Sequence, residues 1–431
     1  MCEIRIEKLI NDGRGIGRGP DGRAWMISGV VPGELVRCAV KKSHHGHLEG
    51  RLTGIIQASP HRTEPPCPYF ANCGGCQLQH IVYPYQVRCK ADFLAETLIR
   101  SGAVSRQTLD SSPIEILAAP DCFAYRQRIR LFVGGRGEVG FRRQASHQVV
   151  GVDSCMIARP TVDRALRAIN ELELARAING FAEQILIEES PADELIVMTI
   201  LSQRPPRPRE IEWIRGFAGE SGITEILIEG RDFSRISLSS TPRPLLNISL
   251  PTSRGVFALF VEPGGFCQVN QAQNLNLVEL VCSWTGRGKR VLDLFCGAGN
   301  FSIPLAAGNR VTGCDLQRAA IRAADFNGDK NRVEVDFFRS SAAQGLARLT
   351  GKGERFDLVI LDPPRSGCQE LLDDLTLTGA EEIIYISCDP ATLARDLAIL
   401  KERGYRFEKI AAVDMFPQTR HLETVVSLVR N

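Results

Sequence analysis

The chain has 431 residues, of which 44% are apolar and 24% charged, and these ordinary globular values exclude a long disordered or collagen-like protein. No run of about 18 apolar residues occurs, so we expect no membrane span. The start, MCEIRIEKLI, is charged from its third residue and predicts no secretory signal, which favours a cytoplasmic protein. At about 150 residues per domain, the length predicts about three domains.

The net charge of +2 hides an asymmetry. Lys and Arg exceed Asp and Glu in residues 1–150, which also hold six of the seven histidines, whereas the remainder is net acidic. This distribution favours contact between the front part of the molecule and a polyanion. The alternative is a chance distribution of surface charge.

Residues 1–58 have the pattern of a small β module. Apolar residues alternate in EIRIEKLI, WMISGVVPGELVRCAV and LEGRLTGIIQA, which are separated by the turn segments NDGRGIGRGPDGR and SHHGHLEG. Five short strands with glycine-rich turns predict an OB-like barrel, a fold that often binds nucleic acid.

Residues 59–258 begin with a cysteine cluster and continue as a mixed α/β domain for which we expect an antiparallel sheet. Cys67, Cys73 and Cys76 have the spacing C-x5-C-x2-C within PCPYFANCGGCQLQH. A reducing compartment argues against disulfides, so metal binding is the better hypothesis. The spacing allows zinc or an iron–sulfur centre, either of which needs a fourth ligand. The candidates for that ligand are Cys89, Cys122 and Cys155.

Residues 259–431 alternate strands and helices. KRVLDLFCGAGNF, NRVTGCDL, RFDLVILDPPRSG and EEIIYISCDP each contain a nearly continuous apolar strand, which predicts a parallel doubly wound sheet. Ligands of such sheets bind at the carboxyl ends of the strands. A glycine-rich turn, then Asp315 placed for a ribose diol, then Asp362-Pro-Pro is the order typical of S-adenosylmethionine-dependent methyltransferases. The upstream segment FCQVN is either a lid over the cofactor or a loop packed on the sheet.

Two side chains near the C-terminus suggest chemistry at a pyrimidine ring. Cys388 follows the strand EEIIYI, and Glu423 opens the last strand, ETVVSLV, at the same edge. Methylation at C5 needs a thiolate that adds to C6, because the resulting enolate can then attack a methyl group through C5. A base must afterwards remove the C5 proton. We therefore expect Cys388 to be the nucleophile and Glu423 the base; the alternatives are a buried small side chain and a solvated carboxylate.

The segments FCQVN, DLFCGAGNF, LDPPRSG, YISCDPATLARD and DMFPQTRHLE together resemble the RNA uracil-5-methyltransferase family, the folate-independent enzymes that make 5-methyluridine. IEKLINDGRGIGR followed by VVPGELVRCAVKK resembles a TRAM domain, an RNA-binding OB-like module. The resemblance extends over essentially the whole chain. It implies an α/β protein with a Rossmann-like doubly wound methyltransferase domain (259–431), an N-terminal barrel (1–58) and a central α/β domain (59–258). It also implies that a helix near 84–110 packs on the methyltransferase domain.

The resemblance also implies a role for individual residues. Cys388 would form the covalent adduct with uracil C6, and Glu423 would accept the C5 proton. The positions that match cofactor contacts are Gln268, Phe295, Asn300, Asp315, Ser341 and Asp362. Ribosomal-RNA members of the family carry a 4Fe–4S cluster on motifs ending CGGCQLQH, which implies that Cys67, Cys73, Cys76 and Cys155 are its ligands.

Three residues depart from the family pattern. Asp315 stands where Glu is usual and keeps the charge that ribose binding needs. Gln418 stands where His is often found. Asp389 replaces the usual Asn beside Cys388, so we expect its charge to raise the pKa of the thiol and slow its attack.

The favoured function is methylation of uracil C5 in 23S-type ribosomal RNA by a monomer. The rivals are a transfer-RNA uracil-5 enzyme, another RNA methyltransferase, and a non-catalytic RNA-binding assembly factor. A cytosine-5 enzyme would need a Cys near Asp-Pro-Pro, where Cys368 is a weak candidate, and an adenine-amino enzyme usually has an aromatic residue where this chain has Arg365. The side chains that could hold RNA phosphates are Lys41, Lys42, Arg126, Arg128, Arg130, Arg142 and Arg143.

Overall fold

The computed structural model describes residues 1–172, 174–238 and 245–431. Its first five strands close into a barrel in the order β1-β2-β3-β5-β4. They are β1 (Cys2–Leu9), β2 (Gly15–Arg18), β3 (Ala24–Ile27), β4 (Leu35–Ser43) and β5 (His47–Gln57). Alternate residues such as Ile4, Ile6, Trp25 and Ile27 fill the interior, as expected where side chains point to opposite faces. The predicted barrel is confirmed.

A helical segment connects this barrel to the rest of the chain. It contains α1 (Tyr83–Arg100), α2 (Arg106–Ser111) and the short strand β6 (Glu115–Leu117). Pro84 in the first turn suits the start of α1, because proline lacks the N–H that would be unpaired there. Leu94 and Leu98 of α1 are fully buried in the core of the C-terminal sheet, and β6 forms the edge strand of that sheet.

The central region is an α/β unit built on a seven-stranded sheet in the order β13-β12-β11-β10-β7-β8-β9. Its elements are β7 (Arg128–Val133), β8 (Val139–Arg142), β9 (Val149–Gly151), α3 (Pro160–Glu171), α4 (Leu174–Ile178), β10 (Ala182–Ser190), β11 (Leu195–Ser202), α5 (Pro208–Ser221), β12 (Glu225–Gly230) and β13 (Ile236–Ser237). Its pairs are antiparallel except for β11 and β12. The predicted α/β class of this region is confirmed.

A two-stranded hairpin, β14 (Leu246–Thr252) and β15 (Gly255–Val261), follows. Its apolar side chains pack with Ile303 and with residues around Val335 of the C-terminal region. Because β15 extends from Gly255 to Val261, the domain boundary expected at 258/259 lies inside this strand.

The C-terminal region is a doubly wound sheet of eight strands in the order β18-β17-β16-β19-β20-β22-β21-β6. Its elements are α6 (Gln271–Thr285), β16 (Arg290–Leu294), α7 (Ser302–Ala306), β17 (Arg310–Asp315), α8 (Arg318–Asn331), β18 (Val335–Arg339), α9 (Ala342–Gly351), β19 (Leu358–Leu361), two 3-10 turns (Gln369–Leu371 and Asp374–Thr378), β20 (Glu382–Ser387), α10 (Pro390–Glu402), β21 (Tyr405–Val413) and β22 (Glu423–Arg430). In the order across the sheet, the first five strands, from β18 to β20, are parallel. The next strand, β22, lies between β20 and β21 and is antiparallel to both. The predicted Rossmann-like sheet is confirmed.

None of the helices in the described residues has both the length and the apolar composition that a membrane span requires.

One buried ion pair fixes α1 to the C-terminal sheet. Lys90 Nζ lies 2.6 Å from Asp414 Oδ1, and their side chains are only 4% and 0% exposed. Lys90 also donates to the Phe416 carbonyl at 3.2 Å. Burial lowers the pKa of Lys90, and the Asp414 carboxylate opposes that change, as expected for a charge kept in the interior by its partner.

We expect Lys90→Met to lower the free energy of unfolding by about 3–5 kcal/mol, because it leaves the buried Asp414 without its counterion. Arg88→Ala is the matched control, since Arg88 and Asp92 form an ion pair on the same helix with both side chains 74% exposed. Urea titration followed by circular dichroism measures both variants. Equal stability of the two variants would contradict a structural role for the buried pair.

Candidate active site

The pairing of β20 with β22 determines which side chains meet at the sheet edge. Ser387, the last residue of β20, is the partner of Thr424, so Cys388 and Glu423 lie side by side at the next position. Asp362 follows β19, the parallel neighbour of β20, and reaches the same edge. Three predicted site residues that are far apart in sequence therefore converge.

Burial, followed by the charge of Glu423, raises the pKa of the Cys388 thiol to about 11. Asp362 adds to the rise in pKa, and the Arg365 guanidinium lowers it again by its charge and by a hydrogen bond. The thiol is thus protonated at neutral pH and depends on Arg365 for stabilisation of its anion.

Glu423 is a buried carboxyl, only 4% exposed. Burial raises its pKa well above the usual range, Asp362 raises it further, and Arg365 opposes both. Burial also raises the pKa of Asp362. Two neighbouring carboxyls in a buried site disfavour each other's ionisation.

Arg365 was not among the residues predicted to act in the site. In the sequence it was noted only because an adenine-amino methyltransferase usually has an aromatic residue at that position after Asp-Pro-Pro. Its position directly after that motif, at the carboxyl end of β19, was the available signal. In the structure it is the cation that acts on both Cys388 and Glu423.

Asp389 does not act as the sequence suggested. Its Oδ1 accepts hydrogen bonds from the backbone N–H of Ala391 and Thr392, both at 3.0 Å, so the side chain caps the N-terminus of α10. The carboxylates that raise the pKa of Cys388 are instead Glu423 and Asp362. The expectation that Asp389 would control the thiol was therefore wrong.

The first strands of the sheet form an acidic, glycine-lined edge. Asp315 accepts from the N–H of Gly297 at 3.1 Å and of Gln317 at 2.8 Å. Gly297 has a φ of +55° and open space where a Cβ would stand, so a ligand can approach the backbone there. Phe295 also has a positive φ, +73°, which is uncommon for a residue with a side chain and marks a strained turn.

Asp293 lies beneath this turn and is fully buried. One of its carboxylate oxygens accepts a hydrogen bond from the Ser302 hydroxyl, whereas the other, Oδ1, has no hydrogen-bond partner among the described residues. Burial raises its pKa to about 7. An unpaired buried acceptor next to an open glycine turn fits a polar ligand such as the amino-acid part of S-adenosylmethionine.

The three other predicted cofactor residues lie on different elements. Asn300 forms a reciprocal pair of amide hydrogen bonds with Asn274 of α6, at 2.9 and 3.0 Å. The Gln268 carbonyl accepts from the Gln127 amide at 2.7 Å, which ties the FCQVN segment to the start of β7. Ser341 caps α9 by accepting from Gln344 N–H and follows β18 at the outer end of the sheet.

The four predicted metal-ligating cysteines line one cavity. Cys67, Cys73, Cys76 and Cys155 all contribute to its wall, with Tyr69, Phe141 and Arg126 among their neighbours. Burial, followed by the charge of Cys155, raises the pKa of Cys76 to about 12. The other two candidates are elsewhere: Cys89 is buried among Leu9, Val31 and Leu78, and Cys122 is absent from the cavity wall.

Within residues 1–172, 174–238 and 245–431, no group of three or more His, Cys, Asp or Glu side chains is arranged so that it could hold a metal ion.

Comparisons with known proteins agree with this architecture. The profile of the tRNA (uracil-5-)-methyltransferase family matches residues 249–431, and the TRAM domain profile matches residues 2–53. The solved structure of the Pyrococcus abyssi tRNA (uracil-54, C5)-methyltransferase, in complex with S-adenosyl-L-homocysteine, superimposes with a TM-score of 0.75 at 26% identity and covers 99% of both chains. The fold and site thus define an S-adenosylmethionine-dependent methyltransferase with a TRAM domain.

Full-length relatives specify the family. The chain is 34% identical to the 23S rRNA (uracil(1939)-C(5))-methyltransferase RlmD of Pseudomonas putida, over 98% of this chain and 92% of the relative. It is 35% identical to the protein of the same name from Chromohalobacter salexigens, over 99% and 89%. The chain therefore belongs to the RNA uracil-5-methyltransferase family, which confirms the resemblance seen in the sequence.

The thiol pKa predicts how Cys388 reacts. Alkylation by iodoacetamide should rise about tenfold per pH unit from pH 7 to 9, because only the thiolate reacts and its fraction grows by that factor below the pKa. Quantitative mass spectrometry of the Cys388 peptide measures the rate, with Cys388→Ala as the blank.

Asp389→Asn is the informative variant for this profile. Asn caps a helix as well as Asp does, so we expect the alkylation profile to move by less than about 0.5 pH unit. A plateau below pH 9 in the parent protein, or a shift of a full unit in the variant, would contradict the assigned environment of the thiol.

Proposed function

We propose that this protein methylates C5 of a uridine in large-subunit ribosomal RNA, with Cys388 as the nucleophile and Glu423 as the base. The observation that carries the proposal is the adjacency of these two side chains across the β20–β22 pair. The ribosomal substrate is supported by the names and near-complete overlap of the relatives from Pseudomonas putida and Chromohalobacter salexigens.

The chemistry follows from the two side chains. The Cys388 thiolate adds to C6 of the uracil, and the electron pair of the C5–C6 double bond becomes an enolate. S-adenosylmethionine would supply a methyl group on a sulfonium centre. As C5 bonds to that methyl carbon, the bond from the methyl carbon to sulfur breaks and the neutral thioether leaves. Glu423 then takes the C5 proton, the C5–C6 double bond re-forms, and the C6–S bond breaks to return the thiolate.

Arg365 stabilises the negatively charged side chains that these reaction steps need. Its guanidinium opposes the burial that raises the pKa of Cys388 and of Glu423, so it favours both the thiolate and the ionised base. It interacts with both side chains. We assign it as a third active-site residue.

The cofactor residues divide by position. Asp315 and Gly297 would hold the ribose end, whereas Asp293, through its unpaired Oδ1, would accept from the amino-acid end. Phe295, Asn300 and Gln268 surround the turn between them, and Asp362 joins the cofactor edge to the catalytic pair. Ser341 lies further along the edge.

The target uridine must be unpaired or flipped out of a helix, because neither C6 nor C5 of a stacked base can reach a thiol at a sheet edge. The TRAM barrel (1–58) and the central domain (59–258) would grip the surrounding RNA through their basic residues. The protein would act as a cytoplasmic monomer.

Nucleoside mass spectrometry tests the reaction. Unmodified ribosomal RNA incubated with the protein and methyl-labelled S-adenosylmethionine should yield labelled 5-methyluridine, and Cys388→Ala should yield none. Labelled 5-methylcytidine or methyladenosine would contradict the uracil assignment. Label only in transfer RNA, the substrate named for the Pyrococcus abyssi enzyme, would contradict the ribosomal substrate and leave the chemistry intact.

We also propose that the cysteine cavity holds a 4Fe–4S cluster on Cys67, Cys73, Cys76 and Cys155. The donor set of four thiols around a cavity fits such a centre. Four cysteine ligands leave no iron open to a substrate, so the group would supply a rigid cross-link between residues 67–76 and Cys155.

Metal analysis tests the cluster. Protein purified without oxygen should contain about four iron and four sulfide per chain, as a cubane centre requires. Cys155→Ala should lose this content, whereas Cys122→Ala should keep it, because Cys122 lies outside the cavity wall. One zinc per chain, or equal iron in the two variants, would contradict the proposal.

A further inference from the structure

The loop that leads into the proposed base is held by a buried pair of glutamines. We call residues 414–422 the base loop, since Glu423 follows it directly. Gln86 on α1 donates from Nε2 to Gln418 Oε1 at 2.9 Å, and Gln418 N–H donates to Gln86 Oε1 at 3.2 Å. Both residues are almost completely buried. This reciprocal contact joins residues 332 positions apart in sequence.

A second contact comes from the segment that follows the cysteine cluster. The N–H groups of Gln77 and Leu78 both donate to the Gln418 carbonyl at 3.0 Å. Gln77 Oε1 also accepts from the Arg420 N–H at 3.3 Å. Gln77 directly follows Cys76, so the wall of the cysteine cavity and the base loop are connected through one residue.

The conformation of Gln418 shows why these contacts matter. Its φ is +67°, in the left-handed region that residues with a Cβ seldom adopt. Such a residue costs free energy and persists only where its surroundings hold it. Here all the backbone hydrogen-bonding capacity of Gln418 is directed at Gln77, Leu78 and Gln86, which hold the loop in this shape.

Cys388 is held by different elements. It follows β20, and the next residue, Asp389, caps the N-terminus of α10. The base loop, in contrast, is fixed by α1 through Gln86 and Lys90 and by the cysteine segment through Gln77. Glu423 itself is paired with Val413 of β21. The glutamine contacts therefore act on the shape of the loop that precedes the base, which is a different part of the structure from the segment that holds Cys388.

We propose that Gln86 and Gln77 are positioning residues for proton abstraction, because they hold the base loop in the shape that aims Glu423 at C5. The inference rests on the proposed role of Glu423. It separates two steps of one reaction: adduct formation and methyl transfer depend on Cys388, whereas breakage of the C5–H bond and release of the thiolate depend on the base loop.

Single-turnover kinetics with a doubly labelled system tests the inference. The RNA carries tritium at uridine C5 and the S-adenosylmethionine carries a carbon-labelled methyl group, so methyl transfer and proton release are followed in one tube. Gln86→Met keeps the side-chain volume but removes the contacts to Gln418. We expect tritium release to slow about 10- to 100-fold, as for a small misplacement of a reacting group, while methyl transfer stays within about threefold of the parent protein.

Gln77→Ala is the second variant, since its half-buried side chain can be removed with little risk to folding. It loses the contact to Arg420 and the hydrogen bond from its Nε2 to the Gly74 carbonyl, but it keeps the backbone bond to Gln418. One contact to the base loop is lost, so the expected slowing of tritium release is about fivefold, the size of one hydrogen bond. In both variants a denaturation-stable protein–RNA adduct should accumulate, because methylated RNA stays bound to Cys388.

The matched control is Thr97→Ala. Thr97 is buried on the same helix as Gln86, and its hydroxyl bonds only to the Phe93 carbonyl of that helix. It should leave the ratio of tritium release to methyl transfer unchanged. If Gln86→Met and Gln77→Ala slow both steps by one common factor, or neither, the positioning role is wrong.

Glu423→Gln separates this failure from a failure of the proposed function. If Glu423→Gln accumulates the methylated adduct while the two glutamine variants do not, only the positioning inference falls. If Glu423→Gln releases tritium at the parent rate, Glu423 is not the base and the inference falls with it.

Discussion

The antiparallel insertion of β22 beside β20 is the constraint on which the site depends. A purely parallel sheet would place the start of the last strand at the opposite edge from the cofactor turns. Because β22 runs the other way, its first residue, Glu423, lies at the edge where β19 and β20 end. Cys388, Glu423 and Asp362 therefore share one edge.

Burial then sets the chemical state of these groups. The pKa of Cys388 rises to about 11, mainly by burial and next by the charge of Glu423, while the pKa of Glu423 rises by burial and by Asp362. Arg365 is the cation that opposes both changes. Burial and neighbouring carboxylates thus disfavour the ionised thiol and the ionised carboxyl of Glu423, and Arg365 favours both ionised forms.

The fold class and the meeting of Cys388 with Glu423 at one sheet edge were predictable from the sequence. The apolar strands and the residues at their ends are local signals, and Cys388 and Glu423 followed from motifs at two such ends. Asp389 was misjudged because adjacency in sequence was taken for adjacency in space; its side chain turns to the first turn of α10. The resemblance already implied that a helix near 84–110 packs on the last domain, as α1 does. The Gln86–Gln418 pair and the place of β6 in the last sheet could not be seen in the sequence, because they join segments about 300 positions apart.

The most direct test of the account is to identify the residue that bonds to the base. RNA with 5-fluorouridine at the target position should trap the enzyme after methyl transfer, because the base cannot remove fluorine as it removes a proton. Peptide mass spectrometry of the trapped complex should place the methylated nucleotide on Cys388. An adduct on another cysteine such as Cys368, or methylation without any adduct, would contradict the mechanism.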